Sequence, residues 1–174
     1  MAKIITIDSP TAEKLIERYH KPLYWHIRRM VVSHYDAEDV LQETFIQIFE
    51  HLTDLKDLTQ ERAWVYRIAT NEALQWLRSR HEFLSLEDED ATPLINTLQA
   101  DTYTDTGDTL VLLFQEAVLT LPTMQRTVFN LRYYDELPYE EIAAITGSSV
   151  DAAKTNYHYA KEKISKYIYG KQFL

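Results

Sequence analysis

Apolar positions in this chain recur at spacings of three and four, the period of helices buried along one face. Ser9 before Pro10 offers a hydroxyl cap and then a proline at the first helical position, so a helix is predicted to about Val32, with a kink near Pro22. Asp36 is expected to cap the next helix, where Val40, Leu41, Phe45, Ile48, Phe49 and Leu52 form an apolar stripe. Asp36, Glu38 and Asp39 lie in its first turn, where the helix dipole favours anions. "TDLKDLTQE", residues 53–61, breaks the pattern and reads as a loop. In the helix that follows, "RAWVYRIATNEALQWLRSR", Val65, Ile68, Ala69, Ala73 and Trp76 gather on one side. Arg67, Asn71 and Arg78 gather on another, flanked by Thr70 and Gln75, while Glu72 falls inside the apolar arc.

The second half repeats the logic with shorter pieces. "TLVLLFQEAVLTL" is a strongly apolar helix ended by Pro122, and "TMQRTVFNLRYY" is another, with Thr123 as its expected cap. Asp135 and Glu136 make a turn, and Pro138 is expected at the first helical position of "PYEEIAAITG". Gly147 closes that helix as its left-handed residue, and Ser148 or Ser149 caps the last one. There Val150, Ala153, Tyr157, Ala160 and Ile164 form the inward stripe, and Ala143 and Ala153 are small where two helices must cross closely. The outer face holds Ala152, Thr155 and Tyr159, bordered by Lys154, Asn156, His158 and Lys163. A glycine hinge, small residues at the crossing and a basic helix together read as a helix-turn-helix in preference to the alternative, a plain helical hairpin.

Composition narrows the class. Three glycines and five prolines in 174 residues favour long helices over many short strands. The chain has no cysteine, which excludes disulfides and thiolate chemistry and suits a reducing compartment. No apolar run is long enough to span a membrane, and the polar start "MAKIITIDSP" does not resemble a signal peptide, so a cytoplasmic address without membrane insertion is expected. The six histidines form no metal-ligand pair and there is no glycine-rich phosphate loop, so neither catalysis, a metal nor a cofactor is expected.

The formal charge of -9 is unevenly spread. Residues 1–81 carry 11 Lys and Arg against 12 Asp and Glu, and residues 109–174 carry 7 of each. Residues 82–108 carry eight acids and no basic residue, and read as an acidic linker: either a solvated tether or a strand for a basic channel on a partner. The expected fold is therefore all-α, two small helical domains at 1–81 and 109–174 joined by a flexible acidic linker, the second a four-helix helix-turn-helix domain. Residues 148–174 hold five lysines against Asp151 and Glu162, a local excess of +3 that favours DNA. The row of Arg67, Asn71 and Arg78 suits phosphates and base edges. Trp64 and Trp76 read either as core or as stacking faces for unpaired bases. Asp39, Gln42, Glu43 and Glu50 read either as a solvated face or as a docking patch for a basic helix.

Together these pieces resemble a bacterial RNA polymerase sigma factor of the sigma-70 family, in its extracytoplasmic-function (ECF) group. "DAEDVLQETF" is similar to the family's core-polymerase-binding helix, and "AWVYRIATNEALQWLRSR" to the helix that meets the minus-ten promoter element. Residues 121–164 are similar to the minus-thirty-five reader. The resemblance implies that Asp39, Gln42 and Glu43 grip a coiled coil of the polymerase clamp, and that the loop at 53–62 captures a flipped minus-ten base. Arg67, Asn71, Gln75 and Arg78 would follow that strand. Arg126 and the start of the Tyr139 helix would meet phosphates, with Lys154, Thr155, Asn156, Tyr159 and Lys163 on the recognition helix. The family usually has an acid where Gln75 stands, often an arginine where Asn156 and Tyr159 stand, and commonly a threonine at Ala152; these departures bear on promoter sequence, not on the scaffold. The implied function is promoter recognition and strand opening by a subunit that is not an enzyme. Its implied partners are core RNA polymerase, promoter DNA and an anti-sigma factor. The alternative is a helix-turn-helix regulator that acts without polymerase and accounts for the C-terminal half alone.

Overall fold

Among the described residues, 9–84, 92–100 and 109–172, this computed structural model contains eight α-helices, two short 3-10 turns and no strand. Three long helices form the first unit: α1 (Ser9–Val31), α2 (His34–Glu50) and α3 (Glu61–Leu84). The helix α4 (Thr92–Ala100) follows, and then α5 (Thr109–Leu119), α6 (Thr123–Tyr133), α7 (Tyr139–Thr146) and α8 (Val150–Gln172) form the second unit.

In α1, Leu15, Tyr19, Leu23, Ile27 and Met30 repeat at helical spacing and are all buried, which is why the amphipathic pattern wins over the proline inside it. Pro22 removes one backbone donor, but it sits on the exposed side, where water can take the freed carbonyl. The helix ends at Val32, whose φ of 73° is a left-handed conformation that a β-branched residue seldom adopts. Arg28 holds it there, its backbone carbonyl accepting from Val32 N at 2.8 Å and its side-chain Nε donating to the Val32 carbonyl.

Several expected boundaries move. Ser33, not Asp36, caps α2: its Oγ accepts from Asp36 N at 3.4 Å. Asp36 lies in the first turn instead, paired with Arg80 at 3.2 Å. Pro122 caps α6, one position before the expected Thr123, which opens the helix instead; Pro138 caps α7 rather than opening it, so that helix begins at Tyr139, one position later than expected. The acidic stretch is not a featureless tether throughout, since Thr92–Ala100 is helical. Its Leu98 is buried against Val32 and Leu119, with Leu94 and Ile95 packed beside them. Residues 82–84 of the expected linker are instead the end of α3, and residues 85–91 and 101–108 lie outside the described residues.

The two helical units pack on each other. Val128, Leu131, Leu137, Ile142, Ile145 and Ala153 of the second unit share one apolar cluster with Leu23, Ile27, Val65, Ala69 and other core residues of the first. A second cluster, Ala117, Val118, Leu121, Phe129, Ala160 and Ile164, holds α5, α6 and α8 together. Fully burying each such aliphatic side chain contributes about 1.5–3 kcal/mol, so the shared cluster is a real adhesive between the units.

Candidate functional site

The α2 stripe turns Val40, Leu41, Phe45 and Ile48 inward, and so leaves Asp39, Gln42 and Glu43 exposed on the opposite side. Gln47 Nε2 donates to Glu43 Oε1 at 3.2 Å. Glu72, which has no role in the α3 pattern, is half-buried; burial and then the nearby Glu43 charge raise its carboxyl above the ordinary range. Glu43 and Glu72 thus make one electronegative patch across α2 and α3, a link that the spacing within either helix does not carry.

On α3, Arg67, Asn71, Gln75 and Arg78 are all exposed, in one row down the helix. Thr70, expected to flank that row, instead faces inward and is buried, its Oγ1 2.8 Å from His26 Nε2. Trp64 and Trp76 pack against the core while staying half-exposed, and the Arg80 guanidinium lies 4.9 Å from the Trp76 ring centre. The expected loop before α3 contains the turns Leu52–Asp54 and Leu58–Gln60. Asp57 pins the second turn by accepting from Thr59 Oγ1 at 2.7 Å and Thr59 N at 2.9 Å, which lowers its carboxyl pKa. Leu58 protrudes, 76% exposed.

In the helix-turn-helix, Gly147 ends α7 with φ 68° and donates its amide to the Ala143 carbonyl, the left-handed cap the pattern calls for. Ser149 then starts α8 by accepting from Ala152 N at 3.0 Å. Ala153, Ala160 and Ile164 are buried, which turns Lys154, Thr155, Tyr159 and Lys163 to solvent and leaves Asn156 half-exposed. Arg126 breaks the expectation: it is 4% exposed, within the packed α6 helix, and in this arrangement its guanidinium is not offered to a phosphate. The start of α7 is also engaged, because Glu141 accepts two hydrogen bonds from Arg62, at 2.6 and 2.9 Å.

That pair belongs to a polar seam between the units that local pattern does not reveal. Asp135, which reads as a turn residue, is 7% exposed at its side chain. Its Oδ1 accepts from Arg29 Nη2 at 3.0 Å and from Tyr66 Oη at 3.3 Å, and His26 Nδ1 lies 3.4 Å from its Oδ2. Burial, followed by the Asp135 charge, pushes the Tyr66 hydroxyl pKa up. The Arg29 guanidinium also lies over the Tyr134 ring, 4.5 Å from its centre. Among the described residues no group of acids and histidines has the arrangement of a metal site, and no helix is long and apolar enough to cross a membrane.

Known proteins match this layout in chain order. Residues 15–82 match Sigma-70 region 2, and residues 112–164 match Sigma-70, region 4. The ECF RNA polymerase sigma factor SigW of Bacillus subtilis is 29% identical over 167 residues, spanning 91% of this chain and 89% of SigW. The sigma factor RpoE in complex with the anti-sigma factor NepR from Bartonella quintana has the same fold, with a TM-score of 0.69 at 18% identity over 90% of this chain and 95% of that one. CnrH in complex with the cytosolic domain of CnrY gives 0.65 at 22% identity, over 91% and 88%. A lone helix-turn-helix regulator has no place for the region 2 match. The chain belongs to the sigma-70 family of RNA polymerase sigma factors, in its extracytoplasmic-function group.

Proposed function

We propose that this chain is a dissociable initiation subunit that works beside RNA polymerase in the cytoplasm. Asp39, Gln42 and Glu43 dock on core polymerase, Arg67, Asn71, Gln75 and Arg78 follow the opened minus-ten strand, and Lys154, Thr155, Asn156, Tyr159 and Lys163 enter the minus-thirty-five major groove. The observation that carries this reading is the order of the two family matches on one chain, each falling on a unit whose polar candidates face solvent. The subunit catalyses no bond change; it favours strand opening by binding the opened form better. Since RpoE and CnrH are both described in complexes, the first explicitly with an anti-sigma factor, an anti-sigma factor is proposed for this chain as well.

Geometry adds a requirement. Helices packed as α3 and α7 are lie about 8–10 Å apart. Elements 25 base pairs apart on straight duplex are separated by about 85 Å at roughly 3.4 Å per base pair. Both readers therefore cannot act while the seam is closed, and docking on polymerase must part it. Near-neutral units and an acidic linker also make the free chain a weak ligand for DNA. Run-off transcription with purified core polymerase on genomic fragments tests the function. Discrete start sites that depend on this chain are expected; specific duplex binding as a dimer, with no effect on core polymerase, would instead favour a free-standing regulator.

A further inference from the structure

Where α1, α4, α5 and α6 meet, between the two units, there is a cavity of about 210 Å³. Its walls are unusual in what they leave unmet. Eight buried side-chain nitrogen and oxygen atoms among the described residues have no hydrogen-bond partner, and four of them belong to residues lining this one cavity: Arg29 Nε, Gln115 Oε1 and both amide atoms of Asn130. Asn130 is 0% exposed. A buried amide without partners costs stability, and so calls for an occupant that supplies them. The other walls are apolar, including Val118, Leu119 and Leu98, and the Trp25 ring stands half-exposed at the edge.

We propose that this cavity is a binding site for a small aromatic carboxylic acid that also carries a hydroxyl or amine donor. The carboxylate accepts from Arg29 Nε and Asn130 Nδ2, the second polar group donates to Gln115 Oε1, and the ring lies among the aliphatic side chains beside Trp25. The described lining holds two guanidinium groups and no acid: Arg28 donates to the Val32 carbonyl and to Tyr24 Oη, and Asp135 pairs with Arg29 from outside the lining. Water satisfies polar atoms equally well, but the apolar walls reward a ring. Since the walls come from both units, the occupant also holds the units together.

Calorimetry on the full chain with 4-hydroxyphenylacetate, and with its neutral amide as control, tests the site. The acid is expected to bind and to raise the melting temperature, and the amide to bind at least about tenfold more weakly. Gln115→Leu and Asn130→Leu should each weaken the acid by about tenfold or more. Asn130→Leu removes an unpartnered amide and should fold at least as well as the parent, so its loss of binding cannot be assigned to misfolding. No heat up to about 5 mM acid would overturn the site. Binding unaffected by both leucine variants would place it elsewhere, and equal binding of acid and amide would remove the anion assignment.

Discussion

Replacing Asp135 with alanine strikes the seam at its most buried point. The carboxylate is 7% exposed and takes Arg29 and Tyr66 on one oxygen, with His26 beside the other. Removing one partner of a buried pair leaves the other charge uncompensated, at a cost of about 3–5 kcal/mol if the seam stays shut. An open chain avoids that cost, since Arg29 can then be hydrated. The closed-to-open ratio should accordingly fall by about two orders of magnitude or more. Small-angle scattering reads the change directly. A compact 174-residue chain has a radius of gyration of about 16 Å, whereas two units with centres about 35 Å apart give roughly 21 Å. Asp135→Ala should move toward the larger value while each unit keeps its helical signal. Arg62→Ala is the control: the Arg62–Glu141 pair is partly exposed, 52% and 25%, and is worth below about 1 kcal/mol. An Asp135→Ala chain as compact as the parent would refute the assignment of the latch to Asp135, and a parent already near 21 Å would refute the closed seam itself.

Other consequences follow from single residues. Reversing charge at Asp39 and Glu43 together should weaken core-polymerase binding by more than about tenfold in a pull-down while leaving the melting temperature nearly unchanged, since both are exposed; intact affinity would remove the docking assignment. Lys154→Ala should lower promoter binding evenly and reduce the salt slope by about one, whereas Asn156→Ala should shift preference at one base pair, by about 1–3 kcal/mol; equal losses on all sequences would erase that division. Glu72 has its folded-state pKa raised, by burial and then by Glu43, so its ionised form disfavours folding; that penalty is absent below the ordinary carboxylate range and sets in as pH rises through the folded value. Glu72→Gln should therefore raise the melting temperature by about 1–2 °C at pH 7, after allowance for solvent screening, and by nothing near pH 4. A gain that persists in acid would mean packing, not charge. Gly147→Ala meets no atom within 4 Å at its new Cβ, so its cost is backbone strain alone, about 1–2 kcal/mol, seen as a drop of roughly 3–6 °C; a far larger drop would point to a clash.

Elements that bury one face of one helix were legible, because burial writes its period into neighbouring residues. Val40, Leu41, Phe45 and Ile48 illustrate this in α2, as do Ala153, Ala160 and Ile164 in α8. Competing local signals were harder. Ser33 and Asp36 are both good caps three residues apart, and only the chain path at Val32 selects the serine. The α4 helix is nine residues long, and its Thr92, Pro93 and Leu98 signals are set within a stretch whose charge suggests a tether. Arg126 was assigned a phosphate by position, yet position along α6 does not say that a guanidinium will be enclosed.

The seam was invisible for a deeper reason. Arg29 reads as a cation near a helix end and Asp135 as an acid in a turn, and each is satisfied locally on paper; their contact joins residues 106 apart. The pairing also balances charge, with Arg29 and Arg62 against Asp135 and Glu141, so no excess in either unit advertises it. That balance has a physical consequence. Salt screens exposed pairs within about a Debye length, roughly 8 Å at physiological ionic strength, and leaves buried ones largely alone. Raising salt should therefore loosen Arg62–Glu141 and weaken DNA contacts long before it frees Asp135. What parts the units must compete for that buried carboxylate and the shared apolar cluster, or bind the open form strongly enough to outweigh both. A large docking surface such as polymerase can do the latter, and a change of ions cannot.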